Sequence, residues 1–171
     1  MKAHGLRWTK DDKFAYILLE YLEGDELWYH LSEEFATHYK KTFLNPDRQN
    51  VAVQVISAVA HMHKHKWRHG DIKPENVLLT SSGYPKVTDF GLAKVNEAKE
   101  VTGTGDLLGT PQYMSPESLG GIYDVRSEVY AVGLTIFEML TGQTAIQGRT
   151  TAEVIRNAGS GVNTSPRKFN A

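Results

Sequence analysis

Apolar stretches from Leu6 to Thr9 and from Phe14 to Glu20 flank the polar segment Lys10 to Lys13, and predict strand, turn, strand. Gly24 and Asp25 interrupt that pattern, and a short helix is expected from near Glu26. Asn45-Pro46-Asp47 combines a capping side chain, proline at the first helical position and an acid in the first turn, so a helix starts there. Val51, Val55, Val59 and Met62 share one face of it, and it ends among His63, Lys64 and His65, where cations suit the negative helix end. Val77 to Thr80 and Lys86 to Thr88 bracket Ser81-Ser82-Gly83-Tyr84 as a small hairpin. Residues 94–113 lack periodicity and predict a loop. Glu128 to Thr141 is apolar almost all round, which predicts a helix buried on every side. A shorter helix is expected over Thr151 to Arg156, and 159–171 reads as a polar tail.

Composition narrows the class. With 171 residues the chain holds one domain or one lobe of a larger one. A net charge of −1 gives no field for nucleic acid or an anionic membrane, so neither partner is expected. The absence of cysteine excludes disulfides, thiolate metal sites and cysteine nucleophiles. No apolar run approaches the ~20 residues of a membrane span, and no hydrophobic signal core follows Met1, so a soluble cytoplasmic protein is expected.

The chemistry concentrates between His69 and Gly91, where His-Gly-Asp-Ile-Lys-Pro-Glu-Asn is followed, after the hairpin, by Asp-Phe-Gly. Asp71, Lys73, Asn76 and Asp89 supply a proton acceptor, a cation for a transferred phosphoryl group and hard oxygen ligands for magnesium, the set that phosphoryl transfer from ATP requires.

Together with Gly109-Thr110-Pro111-Gln112-Tyr113-Met114-Ser115-Pro116-Glu117, these motifs resemble a eukaryotic-type serine/threonine protein kinase over roughly Phe14 to Arg156. The resemblance implies an α+β, protein-kinase-like fold: a mainly helical C-terminal lobe with short β-hairpins and an N-terminal lobe largely absent. It divides the chain into a remnant of the N-terminal lobe (1–19), a hinge (20–24), the C-terminal lobe (25–158, catalytic loop 69–76, activation segment 89–117) and a tail (159–171). It makes Asp71 the proton acceptor, Lys73 the phosphoryl-neutralising cation and Thr110 the residue that steadies both. Asn76 and Asp89 become the magnesium ligands. Glu20, Tyr21 and Leu22 become the adenine-binding hinge, with Leu19 guarding the pocket and Leu78 its floor. The implied cofactors are ATP and Mg²⁺, and the implied substrate is a protein serine or threonine. Glu26 and Glu75 match acids that bind basic residues before the acceptor. Small-molecule kinases share His-Gly-Asp but not Lys-Pro-Glu-Asn or Met-Ser-Pro-Glu. A non-catalytic, kinase-derived binding module is the other alternative.

Several departures from the family pattern stand out. Gly70 replaces an arginine that receives a phosphate from the activation segment, which implies constitutive activity, with Asp106 and Lys94 as a built-in charge pair. Glu128 replaces a helix aspartate that bonds the catalytic-loop backbone, and the extra methylene implies a looser loop. Thr135 replaces leucine, and its hydroxyl is expected to bond a carbonyl one turn back. Glu117 lacks its usual arginine and is expected to face water or find a substitute. The residues before Phe14 carry no glycine-rich loop or strand lysine, so these 171 residues alone are expected to be inactive or feeble.

Three other motifs attract blander readings. Gly103 to Gly109 is one residue too long for a dinucleotide loop and reads as activation-segment backbone. His61, His63 and His65 alternate sides if helical and read as a solvated helix end rather than a metal site. Asn163-Thr164-Ser165 fits a glycosylation acceptor, with nothing to indicate secretion.

Overall fold

The computed structural model describes residues 3–32, 45–90, 94–95, 100–101, 109–162 and 164–168. Strands β1 (Ala3–Trp8) and β2 (Ala15–Leu19) form an antiparallel hairpin, with Leu6 opposite Ile17 and Trp8 opposite Ala15. The turn closes through Thr9 and Phe14 and through Thr9 Oγ1 on Asp11, and Asp12 takes a positive φ there. Its large apolar residues, among them Trp8, Phe14, Tyr16, Ile17 and Leu18, are exposed.

Gly24 and Asp25 do not break the chain as expected: β3 (Gly24–Glu26) pairs with β5 (Val77–Thr80), which pairs with β6 (Pro85–Val87). Glycine is required at 24, since φ is 157° and a Cβ would stand 2.1 Å from the Leu79 carbonyl oxygen. The backbone there is pressed against its neighbour, a contact that local sequence does not reveal. Helix α1 (Leu27–Leu31) follows and buries Leu27 completely.

Helix α2 (Asn45–Lys64) buries Val51, Val55 and Val59 as the spacing predicts, leaving Val53 and Ile56 outside. A turn through Lys66, at φ 61°, leads to β4 (Trp67–Arg68), a strand too short to announce itself in the sequence. It pairs with β7 (Lys94–Val95), and β8 (Glu100–Val101) pairs with β9 (Ile122–Tyr123). Residues 94–113 are therefore not all loop: besides β7 and β8, Pro111–Tyr113 is a 3-10 turn. Pairing partners far away in the chain create these strands, so no local periodicity marks them. The expected glycine loop at 103–108, Asp106, Gly91 and Asn163 lie outside the described residues.

Helix α3 (Pro116–Leu119) is short and capped by Ser115. Helix α4 (Val125–Thr141) starts before Glu128 because Asp124 and Ser127 form a reciprocal capping box, and Gly142 closes it at φ 71°. Such a cap is worth ~1 kcal/mol. The helix is not buried on every side: Val125, Val129 and Gly133 face out, while Ala131, Val132, Leu134, Phe137 and Met139 face in. Thr135, wholly buried, donates to the Ala131 carbonyl as its position predicts. Helix α5 (Thr151–Gly159) runs beyond the expected Arg156, and a 3-10 turn (Pro166–Lys168) interrupts the polar tail.

Two buried clusters hold the elements together. Val59, Ile72, Val87, Tyr113, Val132 and Leu134 join α2, the catalytic loop and α4; Leu27, Val51, Val55, Val77, Leu79 and Met139 join α1, α2, β5 and α4. The catalytic loop is thus clamped from below by apolar side chains, Ile72 and Val77 being almost inaccessible.

Candidate active site

Residues 69–76 leave β4 and end in a 3-10 turn, Pro74–Asn76, that leads straight into β5. His69 is completely buried. Its Nε2–H donates to the Thr88 carbonyl at 2.8 Å, which leaves Nδ1 to accept the Asp71 amide at 3.3 Å. Its ring lies 5.0 Å from that of Phe90. Thr88 N–H donates to the Asn76 carbonyl, so the segment carrying Asp89 is fastened to the catalytic loop at both ends. Asp89 itself adopts φ 59°, a conformation that costs most L-residues ~1–2 kcal/mol and that aspartate tolerates better than most.

Asp71, Lys73, Asn76 and Thr110 meet in one network. Lys73 Nζ lies 2.9 Å from Asp71 Oδ2 and donates to Thr110 Oγ1 at 2.7 Å. Thr110 donates to Asp71 Oδ1 from both its amide and its hydroxyl, at 3.1 and 3.0 Å. Asn76 Nδ2 donates to the Asp71 carbonyl and to Oδ2, so its Oδ1 is left as an acceptor. Burial alone would push the Asp71 carboxyl up, but Lys73, Thr110 and Asn76 outweigh it and hold the group below the usual range. Gly109, at φ 107°, lets the passing backbone come within 3.4 Å of the Gly70 oxygen, measured from where a Cβ would sit.

The other expected site residues line a separate margin. Strand alternation sends Val77 and Leu79 into the core and leaves Leu78 on the opposite, half-open face. The β3–β5 pairing sets Glu26 opposite Leu78 and Gly24 opposite Thr80, and beyond it Ser81 N–H donates to the Glu23 carbonyl. Leu19 is exposed and Glu20 and Leu22 half-buried. Asp89 is exposed.

Below the loop lies a second network that the sequence only half announced. Glu128, fully buried, accepts the Gly70 amide at 2.7 Å on Oε1, where the Tyr123 hydroxyl also donates, and holds His63 Nε2 at 2.5 Å on Oε2. The longer side chain therefore reaches the loop backbone rather than loosening it. His63 is not a solvated helix end; it points inward. Gly70 takes φ 95°, a conformation an arginine would occupy only with strain. Two residues earlier, at the end of β4, Arg68 is buried, donates to the Tyr123 carbonyl and stacks 5.5 Å over the Tyr123 ring. Its Nε has no hydrogen-bond partner. An arginine in a two-residue strand between Trp67 and His69 was the available signal.

A third acid cluster was also missed. Glu138 sits in the apolar run of α4 and accepts the Tyr113 hydroxyl at 2.5 Å. Burial raises its carboxyl above the ordinary range; Tyr113 counteracts this and Glu75 adds to it. Glu75 Oε2 is itself buried without a partner. A raised folded-state value means that this stability is present below the ordinary glutamate range (~4.3) and is lost as pH rises through the raised value. Glu138→Gln should therefore match the parent near pH 4 and melt at a higher temperature than the parent at pH 7; thermal melts across that range read it. Glu117, as expected, faces water.

The sequence matches the protein kinase domain family over residues 4–168. The chain belongs to the protein kinase family. It is 36% identical over 146 residues to serine/threonine-protein kinase PrkC of Bacillus subtilis, covering 85% of this chain and 22% of that one. It is 38% identical over 143 residues to human serine/threonine-protein kinase Sgk1, covering 83% of this chain and 32% of that one. This kinase chain thus spans between about a fifth and a third of the length of these relatives. The α+β arrangement agrees with the family, whose members generally use ATP and Mg²⁺. Among the described residues no helix is long and apolar enough to cross a membrane.

Proposed function

We propose that the chain carries the catalytic lobe of a serine/threonine protein kinase that transfers the γ-phosphoryl group of ATP to a protein hydroxyl. The closed network of Asp71, Lys73, Thr110 and Asn76 carries this reading, because it holds a charged carboxylate and an ammonium side by side at the surface. The acceptor oxygen forms the new P–O bond, its proton passes to Asp71, and the β–γ bridging oxygen departs with ADP. Lys73 neutralises charge on the moving phosphoryl group. Asn76 Oδ1 and the Asp89 carboxylate are the hard oxygens that would hold magnesium, which when bound neutralises the phosphate oxygens. Glu20 and Leu22 would offer backbone groups to adenine between Leu19 and Leu78.

The exposed Glu26 and the half-buried Glu75 support a preference for basic residues near the acceptor. Glu128, with Tyr123 bonded to the same oxygen, holds the Gly70 amide by contacts within the chain, which supports activity that needs no phosphorylation switch.

The test is a melting-temperature titration of the chain with ATP, with and without Mg²⁺. A magnesium-dependent rise by millimolar ATP is expected, together with feeble turnover of a basic peptide. No shift at that concentration would favour a non-catalytic binding module, and turnover of free alcohols but not peptides would favour a small-molecule phosphotransferase.

A further inference from the structure

We propose that His61 and His65 form a two-imidazole chelate for a borderline divalent transition cation of the zinc or nickel class, separate from the phosphoryl-transfer site. The spiral of α2 carries on past Lys64: His65 N–H donates to the Met62 carbonyl at 3.0 Å and to that of His61 at 3.3 Å. Residues 61 and 65 are therefore one turn apart on the same face. His63, between them in sequence, faces the other way and is taken by Glu128, so the pair is 61 with 65 and not the alternating triad.

Three observations make the pair fit for a metal. The ring centroids are 4.3 Å apart with planes at 39°. Two imidazoles sharing one ion at ~2.0–2.1 Å per Zn–N bond need centroids at roughly 4.5–5 Å, so a small side-chain opening suffices. His65 Nδ1–H donates to the His61 carbonyl at 2.8 Å, which leaves Nε2 with its lone pair free in the neutral ring. A backbone carbonyl on the far nitrogen is how metal-ligating histidines are commonly oriented. Both rings are exposed and stand at the C-terminal end of a 20-residue helix, where the backbone dipole favours a cation. Nitrogen ligands select zinc, nickel or copper over magnesium, and water completes the shell, because no cluster of three or more metal-ligating side chains exists among the described residues. The bound ion would pin the helix end immediately before the Lys66 turn that feeds the catalytic loop.

The experiment is calorimetric titration of the tag-free chain with Ni²⁺ or Zn²⁺ alone. One saturable site is expected, weakened at least tenfold by either His61→Ala or His65→Ala, unchanged by His4→Ala, and accompanied by a metal-dependent rise in Tm that both single variants lose. Both positions are exposed, so neither variant threatens the fold. Absence of saturable binding by the parent chain overturns the proposal. So does binding retained within twofold by both single variants, or by the double variant, and so does loss on His4→Ala.

Discussion

Glu128→Ala should destabilise the chain by ~3–5 kcal/mol, the usual consequence of removing one partner from a buried charged network. The carboxylate is fully buried and accepts from the Gly70 amide, the Tyr123 hydroxyl and the His63 ring at once. Alanine leaves those three donors without an acceptor, in a region water cannot enter without cost. Glu128→Gln keeps an acceptor for Gly70 but turns an N–H group toward the His63 N–H, so an intermediate loss is expected. Glu128→Asp restores the family's usual residue, yet is also expected to lose stability, because the present geometry spans the gap with the glutamate's full length. Urea unfolding with an unchanged slope would measure all three. An aspartate variant as stable as the parent would show that the loop follows the side chain rather than being held by it.

Asp71→Asn should lower phosphoryl transfer by ~10²–10⁴-fold, the range for loss of a positioned general base. The assay belongs in the longest expressed product of the gene, with a basic serine or threonine peptide. The carboxylate oxygens accept from Lys73, from Thr110 twice and from Asn76. An amide supplies one acceptor and turns its NH₂ toward one of those donors, so the loop also loosens. Magnesium-dependent ATP binding should persist, since Asn76 and Asp89 remain. Equal loss of binding and rate would assign Asp71 a structural part instead. The carboxyl is held below the usual range, so its stabilising charge is present above the ordinary aspartate value (~3.9) and lost as pH falls through the lower folded value. Activity should therefore show no Asp71-dependent acid limb from pH 5 upward.

Much of the site was legible because its chemistry is local. Asp71, Lys73 and Asn76 sit within one loop, so their spacing predicted the network they form. The helices were legible where periodicity is local, as at Val51 and Val55. Helix α4 was misread at its exposed face because its sequence is apolar at Val129, which composition cannot distinguish from core. Strands β3, β4, β7 and β8 were missed because two- or three-residue strands owe their existence to a partner elsewhere.

The sequence by itself determined the family, the company that Asp71, Lys73 and Asn76 keep and the helical face of α2, since each depends on residue type at short separation. Only the tertiary structure decided which groups are paired. It turned His63 inward and His61 and His65 outward, let Glu128 reach the Gly70 amide, and set Arg68 beneath Tyr123 while Gly70 took a backbone conformation open to glycine. Those outcomes depend on the direction of side chains from elements about 55 to 65 residues apart in the chain, a distance at which pattern carries no geometry and packing alone selects the partner.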